Sequence, residues 1–314
     1  MVLQDDRTHT DDPIGFATMA GMTNQQTTPN HCLDGIRFLT LALNLPGPAA
    51  VMRCRSMGAN CVKIEPPTGD PMRVYSALAY AQMHEGVRVV TLDLKSDGGQ
   101  ALLAAELAQA DVFLTSFRPA ALQRLGLDWP SIHPRFPKLC QVAVVGGAGE
   151  QKHMPGHDLT YMASHDLIEG LSLPRSLFAD MVGALAVSEA VLQVLLQRQR
   201  LGHGVWVDVA LEEAAAWAAW PRTVGMMNDA GPLAGGHSGY RVYACRDGRV
   251  AVAALEPHFA RTLCALVGLA PDKHMHMGSP STQAAMTQFF VERTREQLNA
   301  LAQIHDLPLV TMAS

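Results

Sequence analysis

From Leu33 onward, short apolar runs alternate with helix-like segments, and that rhythm is the first clue to the architecture. Residues 35–41 form an apolar run suited to a buried strand. Pro46-Gly47-Pro48 then punctuates before a helical stretch to about Met57. Residues 61–65 read as a second strand, stopped by Pro66-Pro67. The pattern recurs with a strand at 87–92, an Ala- and Leu-rich helix at 99–110, a strand at 111–114, a helix around 119–125 and a strand at 139–145. Strands and helices alternating at this pitch predict an α/β domain with a parallel sheet and helices on both faces.

Farther along, a long helix over 181–200 is predicted to close at Gly202 and Gly204. A strand at 205–209 and an alanine-rich helix through Trp220 follow. Beyond Pro221 the character changes. Strand-like 240–243, the turn Arg246-Asp247-Gly248 and a strand at 249–253 read as a hairpin, with helices from about 257 and 281. The chain thus divides into a polar tail over 1–31, expected to be disordered, a large α/β domain over 32–231 and a smaller α+β domain over 232–314. At 314 residues and 48% hydrophobic content, both domains can bury a core.

Charge and cysteine content narrow the function classes. A formal charge of −5 leaves no basic excess for nucleic-acid phosphates or anionic lipid. Cysteines 32, 54, 61, 140, 245 and 264 form no C-x-x-C pair, so neither a zinc ribbon nor a disulfide framework is indicated, and reduced thiols fit a cytoplasmic protein. The first 31 residues lack a basic start followed by an apolar block. The most apolar region by this reading, 205–220, is broken by Asp208, Glu212 and Glu213, so no membrane association is expected. Gly146-Gly147-Ala148-Gly149 lacks the G-x-G-x-x-G spacing of a dinucleotide loop, and His274 and His276 lack a third ligand, so no metal is expected.

The chemistry concentrates in Gly156-His157-Asp158 and in Asp180, which stands 23 positions after His157 (180 − 157). An imidazole titrates near neutrality, and a carboxyl can return a proton if apolar neighbours such as Phe178, Met181 and Val182 raise its pKa. Together they are the pair needed to take a proton from one face of a carbon and return it to the other. Singly, each has an ordinary reading: a turn histidine, a helix N-cap at Asp180, a helix start at Glu256 before Pro257, a solvated Arg118.

Leu33-Asp34-Gly35-Ile36-Arg37, Met57 to Pro67 (MGANCVKIEPP), Gly69-Asp70-Pro71, Thr91-Leu92-Asp93-Leu94-Lys95, Ala110-Asp111-Val112, Phe117-Arg118-Pro119, Arg124-Leu125-Gly126-Leu127 and Gly156-His157-Asp158 occur in this order. The series, over about 33–312, resembles the family III CoA-transferases, which include an alpha-methylacyl-CoA racemase branch. The resemblance implies a Rossmann-like parallel sheet domain with a smaller α+β domain, an interlocked homodimer, and an acyl-CoA thioester as substrate with no further cofactor. It implies His157 and Asp180 as opposed acid/base residues with Glu256 supporting His157. Arg118 and Arg88 would contact CoA, and the main-chain N–H of Asp158 would face the thioester oxygen. By the same resemblance the family's C-terminal return segment is expected to be missing from this sequence, which would put the interlocking in question. The leading expectation is an acyl-CoA racemase or epimerase moving the α-proton of a 2-methylacyl-CoA. One alternative is a CoA-transferase with Asp180 as nucleophile, and a further one is a truncated, non-catalytic CoA-binding relative.

Overall fold

The structure, a computed structural model, describes residues 31–229, 231–269 and 277–313. All of the polar tail but His31, and the His274/His276 pair, lie outside the described residues. The large sheet is built from β1 (Arg37–Thr40), β2 (Asn60–Glu65), β3 (Arg88–Thr91), β4 (Val112–Thr115), β5 (Cys140–Val145) and β6 (Trp206–Ala210). All pair in parallel, in the order β3-β2-β1-β4-β5-β6. Strands buried on both faces read as continuous apolar runs, and β4 and β5 are buried at every position.

Side chains alternate across the sheet because the strand period is two. Phe38, Val112, Leu114, Cys140 and Val142 point to one face. There they meet α1 (Pro46–Ser56) through Ala50 and Cys54, and α8 (Phe178–Leu201) through Val187 and Val191. Leu39, Val62, Ile64 and Phe113 point to the other face, onto Leu103 and Leu107 of α4 (Asp97–Leu107) and Leu122 of α5 (Pro119–Arg124). Phe113 is fully buried, and each such side chain contributes about 1.5–3 kcal/mol. The remaining elements of this half are α2 (Met72–Tyr75), α3 (Ala77–Met83), α6 (Trp129–Ile132), α7 (Asp158–Ser164) and α9 (Leu211–Thr223).

A second, antiparallel sheet has the order β7-β8-β9, from β7 (Tyr240–Cys245), β8 (Gly248–Ala253) and β9 (Leu309–Met312). It has its own core, in which Tyr243, Val250 and Val252 pack with Leu263, Phe290 and Leu298. Those partners come from α10 (Pro257–Val267), α11 (Pro280–Val291) and α12 (Arg295–His305).

Two features of α8 depart from the sequence expectation. By length and composition it is apolar enough to cross a membrane, more so than 205–220, yet half of that stretch is buried within the fold, as in a core helix. It also begins at Phe178, so Leu177 and not Asp180 is its N-cap. The reason lies outside the helix: the Asp158 carboxylate accepts the Asp180 N–H at 2.9 Å, satisfying a first-turn donor that a local cap would otherwise serve.

Candidate active site

The strand order reverses at β1, whose neighbours β2 and β4 are reached by connections running to opposite sides. At such a switch point the loops leaving the carboxyl ends of the strands part and leave a crevice. A cleft of about 240 Å³ lies there. It is walled by Leu43, Asn44 and Pro46 after β1, Ser116, Phe117 and Arg118 after β4, and Gly146 after β5, with Lys152, Gly156, His157, Tyr161, Asp180 and Leu211.

His157 and Asp180 reach this cleft from the starts of two helices. His157 is the N-cap of α7, and its own N–H donates to Thr160 Oγ1 at 3.0 Å. Asp180 lies in the first turn of α8. The positive ends of both helices therefore lie at the cleft, where they favour negative charge. For Asp180 that effect loses. Burial first, and then the charge of Asp158, push its carboxyl from an ordinary 3.8 up to about 7.

Asp158 itself is 5% exposed and is not among the residues that wall the cleft. Its carboxylate joins the two helix starts through the bond to Asp180 N–H. Its main-chain N–H, at the first position of α7, belongs to the donors a helix leaves without an internal partner.

Tyr161 completes this wall. Its ring lies so close to Gly156 that a Cβ there would be 2.4 Å from Cε1, and one at Gly146 would be 2.8 Å from Oη. Glycine at both positions is the condition for seating the ring. Burial, then the charges of Asp180 and Glu212, raise the Tyr161 phenol, with Arg118 opposing. Lys152, half-buried on the 3-10 turn Gly149–His153, counters the burial that raises Asp208.

Of the residues singled out in the sequence, His157, Asp180 and Arg118 share the cleft. Arg118 is exposed at the N-cap of α5 and forms no ion pair among the described residues. Arg88 lies elsewhere. It opens β3, and because the strands are parallel this puts it at the amino edge of the sheet, where its Nη2 pairs with Glu106 Oε1 at 2.6 Å. Glu256 is exposed at the N-cap of α10 in the three-stranded unit and is not part of the cleft wall. Sequence reasoning missed Tyr161 and Lys152; their proximity to Gly156-His157-Asp158 was the available signal, since one turn of α7 separates Tyr161 from His157.

Known proteins resemble this chain in sequence and in fold. Human alpha-methylacyl-CoA racemase is 27% identical over 293 residues, covering 84% of this chain and 73% of that protein. Cinnamoyl-CoA:phenyllactate CoA-transferase of Clostridium sporogenes is 29% identical over 206 residues, 59% of this chain but only 50% of the transferase. The crystal structure of Rv3272 from Mycobacterium tuberculosis superposes with a TM-score of 0.78 at 24% identity, covering 91% of this chain and 86% of that one, and so shares the fold. The model of CoA-transferase family III matches residues 33–314, and the chain belongs to that family.

Proposed function

We propose that the chain moves the α-proton of an acyl-CoA thioester, as a racemase or epimerase, with His157 and Asp180 working from opposite faces of the α-carbon. One observation carries this reading: a carboxyl pushed up to about 7 shares a cleft with an imidazole. Near pH 7 such a carboxyl is about half protonated, so it can donate or accept a proton, which an ordinary aspartate cannot do efficiently. In one direction His157 removes the proton, negative charge moves onto the thioester oxygen, and protonated Asp180 delivers its proton to the other face. The reverse direction exchanges the roles. Unpaired N–H donors at the start of α7, Asp158 among them, supply the stabilisation the enolate oxygen needs. Arg118 is assigned to a phosphate or the adenine of CoA, whereas Arg88 and Glu256 lie outside the cleft wall and are given no role in this step.

Incubation with a 2-methylacyl-CoA in heavy water tests the reading. Deuterium should enter the α-carbon of both epimers, and His157→Ala and Asp180→Asn should each abolish exchange for one epimer only. Absence of exchange above the enzyme-free rate would remove it.

A second reading is favoured by the transferase relatives. In it the ionised Asp180 attacks the thioester carbonyl and expels the CoA thiolate, giving an acyl-aspartyl anhydride. The thiolate then attacks the aspartyl carbonyl, releasing the acid and leaving an aspartyl-CoA thioester. This reading predicts donor-dependent mass gain on Asp180 that hydroxylamine traps. Protection from heat by CoA with neither signal would leave a binding role.

We also propose that two chains pair. Phe178, Met181 and Leu185 of α8 and Trp217 and Trp220 of α9 are exposed, an apolar area suited to cover. Light scattering should return twice the chain mass, and a monomer at micromolar concentration would refute pairing.

A further inference from the structure

Outside the cleft wall, and joined to it through Asn44, lies a cluster of charged groups that the proposed chemistry does not use. Lys63 of β2 is 1% exposed. Its ammonium contacts Asp70 Oδ2, His84 Nε2 at 2.7 Å and Glu65 Oε1 at 3.4 Å. Glu65 also accepts from the Tyr80 hydroxyl at 2.7 Å and from Arg73 Nη2 at 3.3 Å. The carboxylates and imidazole have the chemistry of metal ligands, their ligand atoms lying within 4.8 Å of one another, but the ammonium touches all three and serves as their cation.

The network is fully partnered. His84 Nδ1 is 2.6 Å from the Tyr80 carbonyl, which can only accept, so that nitrogen carries the proton and Nε2 accepts from Lys63. Burial holds the His84 imidazole below its usual range, and the Lys63 charge adds to this. Two cations face two carboxylates, Lys63 from the buried side and Arg73, half exposed, from the solvent side, so that only the Lys63 pairs are buried. Buried ion pairs of this kind rarely exceed apolar packing in stability, so their presence calls for another consequence.

That consequence is visible at Asp70. Its Oδ2 is taken by Lys63, while Oδ1 accepts the N–H of Met72 at 2.9 Å and that of Asn44 at 3.0 Å. Asn44 belongs to the cleft wall and has φ of 65°, a left-handed conformation uncommon outside glycine. On its other side the Leu43 N–H is held by Ser116 Oγ, across the cleft lip, at 3.2 Å. We propose that Asp70, oriented and neutralised by Lys63, is a positioning residue that holds the Leu43-Asn44 turn in the left-handed form shaping the CoA-binding wall. This rests on the acyl-CoA reading for its ligand, though not for its geometry.

The test is rescue by glycine, which adopts positive φ without a restraint. Asp70→Ala should weaken CoA binding, measured by calorimetry, about tenfold or more, and adding Asn44→Gly should recover most of that loss. A loss that glycine fails to recover would overturn the proposal. Should Asp70→Ala fail to fold, Asn44→Ala should bind CoA about tenfold more weakly than Asn44→Gly, and equal affinities would overturn it. Hydrogen exchange at the Asn44 amide reads the geometry without ligand. Exchange should be slow in the wild type and at least tenfold faster in Asp70→Ala, and equal rates would sink the proposal. A wild type that ignores CoA while showing this difference would instead refute the acyl-CoA reading alone.

Discussion

Asp180→Asn should make the protein more stable, and more so as pH rises. The variant is nearly isosteric but cannot ionise. In the wild type, unfolding returns Asp180 from about 7 to its ordinary 3.8. Between those values the folded state binds more protons than the unfolded one, so stability falls as pH increases through this window. The effect is complete below 3.8, is lost on passing 7, and amounts to about 4 kcal/mol at most. Asp180 is only partly buried, so solvent screening reduces this to about 2–3 kcal/mol. For a protein of this size each kcal/mol moves the melting temperature by about 1.5–2 °C. Thermal unfolding of both proteins at pH 5 and pH 8 is the assay, with only the change in their difference being read. At pH 5 the folded Asp180 is protonated, so the helix-end attraction for its charge, about 0.3–1 kcal/mol, acts in the wild type only at pH 8 and slightly narrows the expected change. A gap between variant and wild type that stays constant, or that turns in favour of the wild type at pH 8, would show that Asp180 is an ordinary ionised aspartate.

Other perturbations test separate contacts. Asp158→Asn removes a charge but keeps an oxygen for the Asp180 N–H, so carbon NMR should find the Asp180 carboxyl titrating lower than in the wild type, though above the usual range because burial remains; an unmoved midpoint would refute the coupling. Asp158→Ala also strips the donor at the start of α8 and should lower stability by about 1–2 kcal/mol in urea. Gly156→Ala puts a Cβ 2.4 Å from Tyr161 Cε1, so the ring must shift: stability should drop by about 1–3 kcal/mol and turnover at least tenfold, and wild-type turnover would argue against Tyr161 as a wall of the site. Lys63→Met leaves Asp70 and Glu65 without their central cation and should cost about 3–5 kcal/mol by urea titration; a loss under 1 kcal/mol would show the network is dispensable.

The parallel sheet was legible because its strands are short apolar runs stopped by Pro and Gly, a signal that needs no tertiary information. Cys61 to Glu65 before Pro66-Pro67 is the clear example, and the observed strand begins one residue earlier. The short helices α2, α3 and α7 were not legible, since four to seven residues carry too little periodicity to register. His157 and Asp180 were legible as chemistry, but their shared cleft depends on the strand order, which places the loops after β4 and β5 beside the start of α8. Arg88 shows the converse. Its position in a motif suggested ligand contact, while the direction of β3 carries it to the far edge of the sheet.

Asp158 is the residue whose importance sequence reading could least assign, because its two effects act through space on a helix that begins twenty positions later (178 − 158). Accepting the Asp180 N–H fixes where α8 starts, and so fixes the direction from which the Asp180 carboxyl enters the cleft. The same negative charge, next to that carboxyl, opposes its ionisation. A neutral cap such as serine would serve the first purpose and not the second. A helix start on its own lowers the pKa of an acid in its first turn, so an aspartate there would ordinarily be a poor proton donor at neutral pH. Burial and Asp158 reverse that tendency. The stability sacrificed at Asp180 above pH 7 is therefore the physical counterpart of a carboxyl able to carry a proton, and one substitution, Asp158→Asn, should move both quantities together.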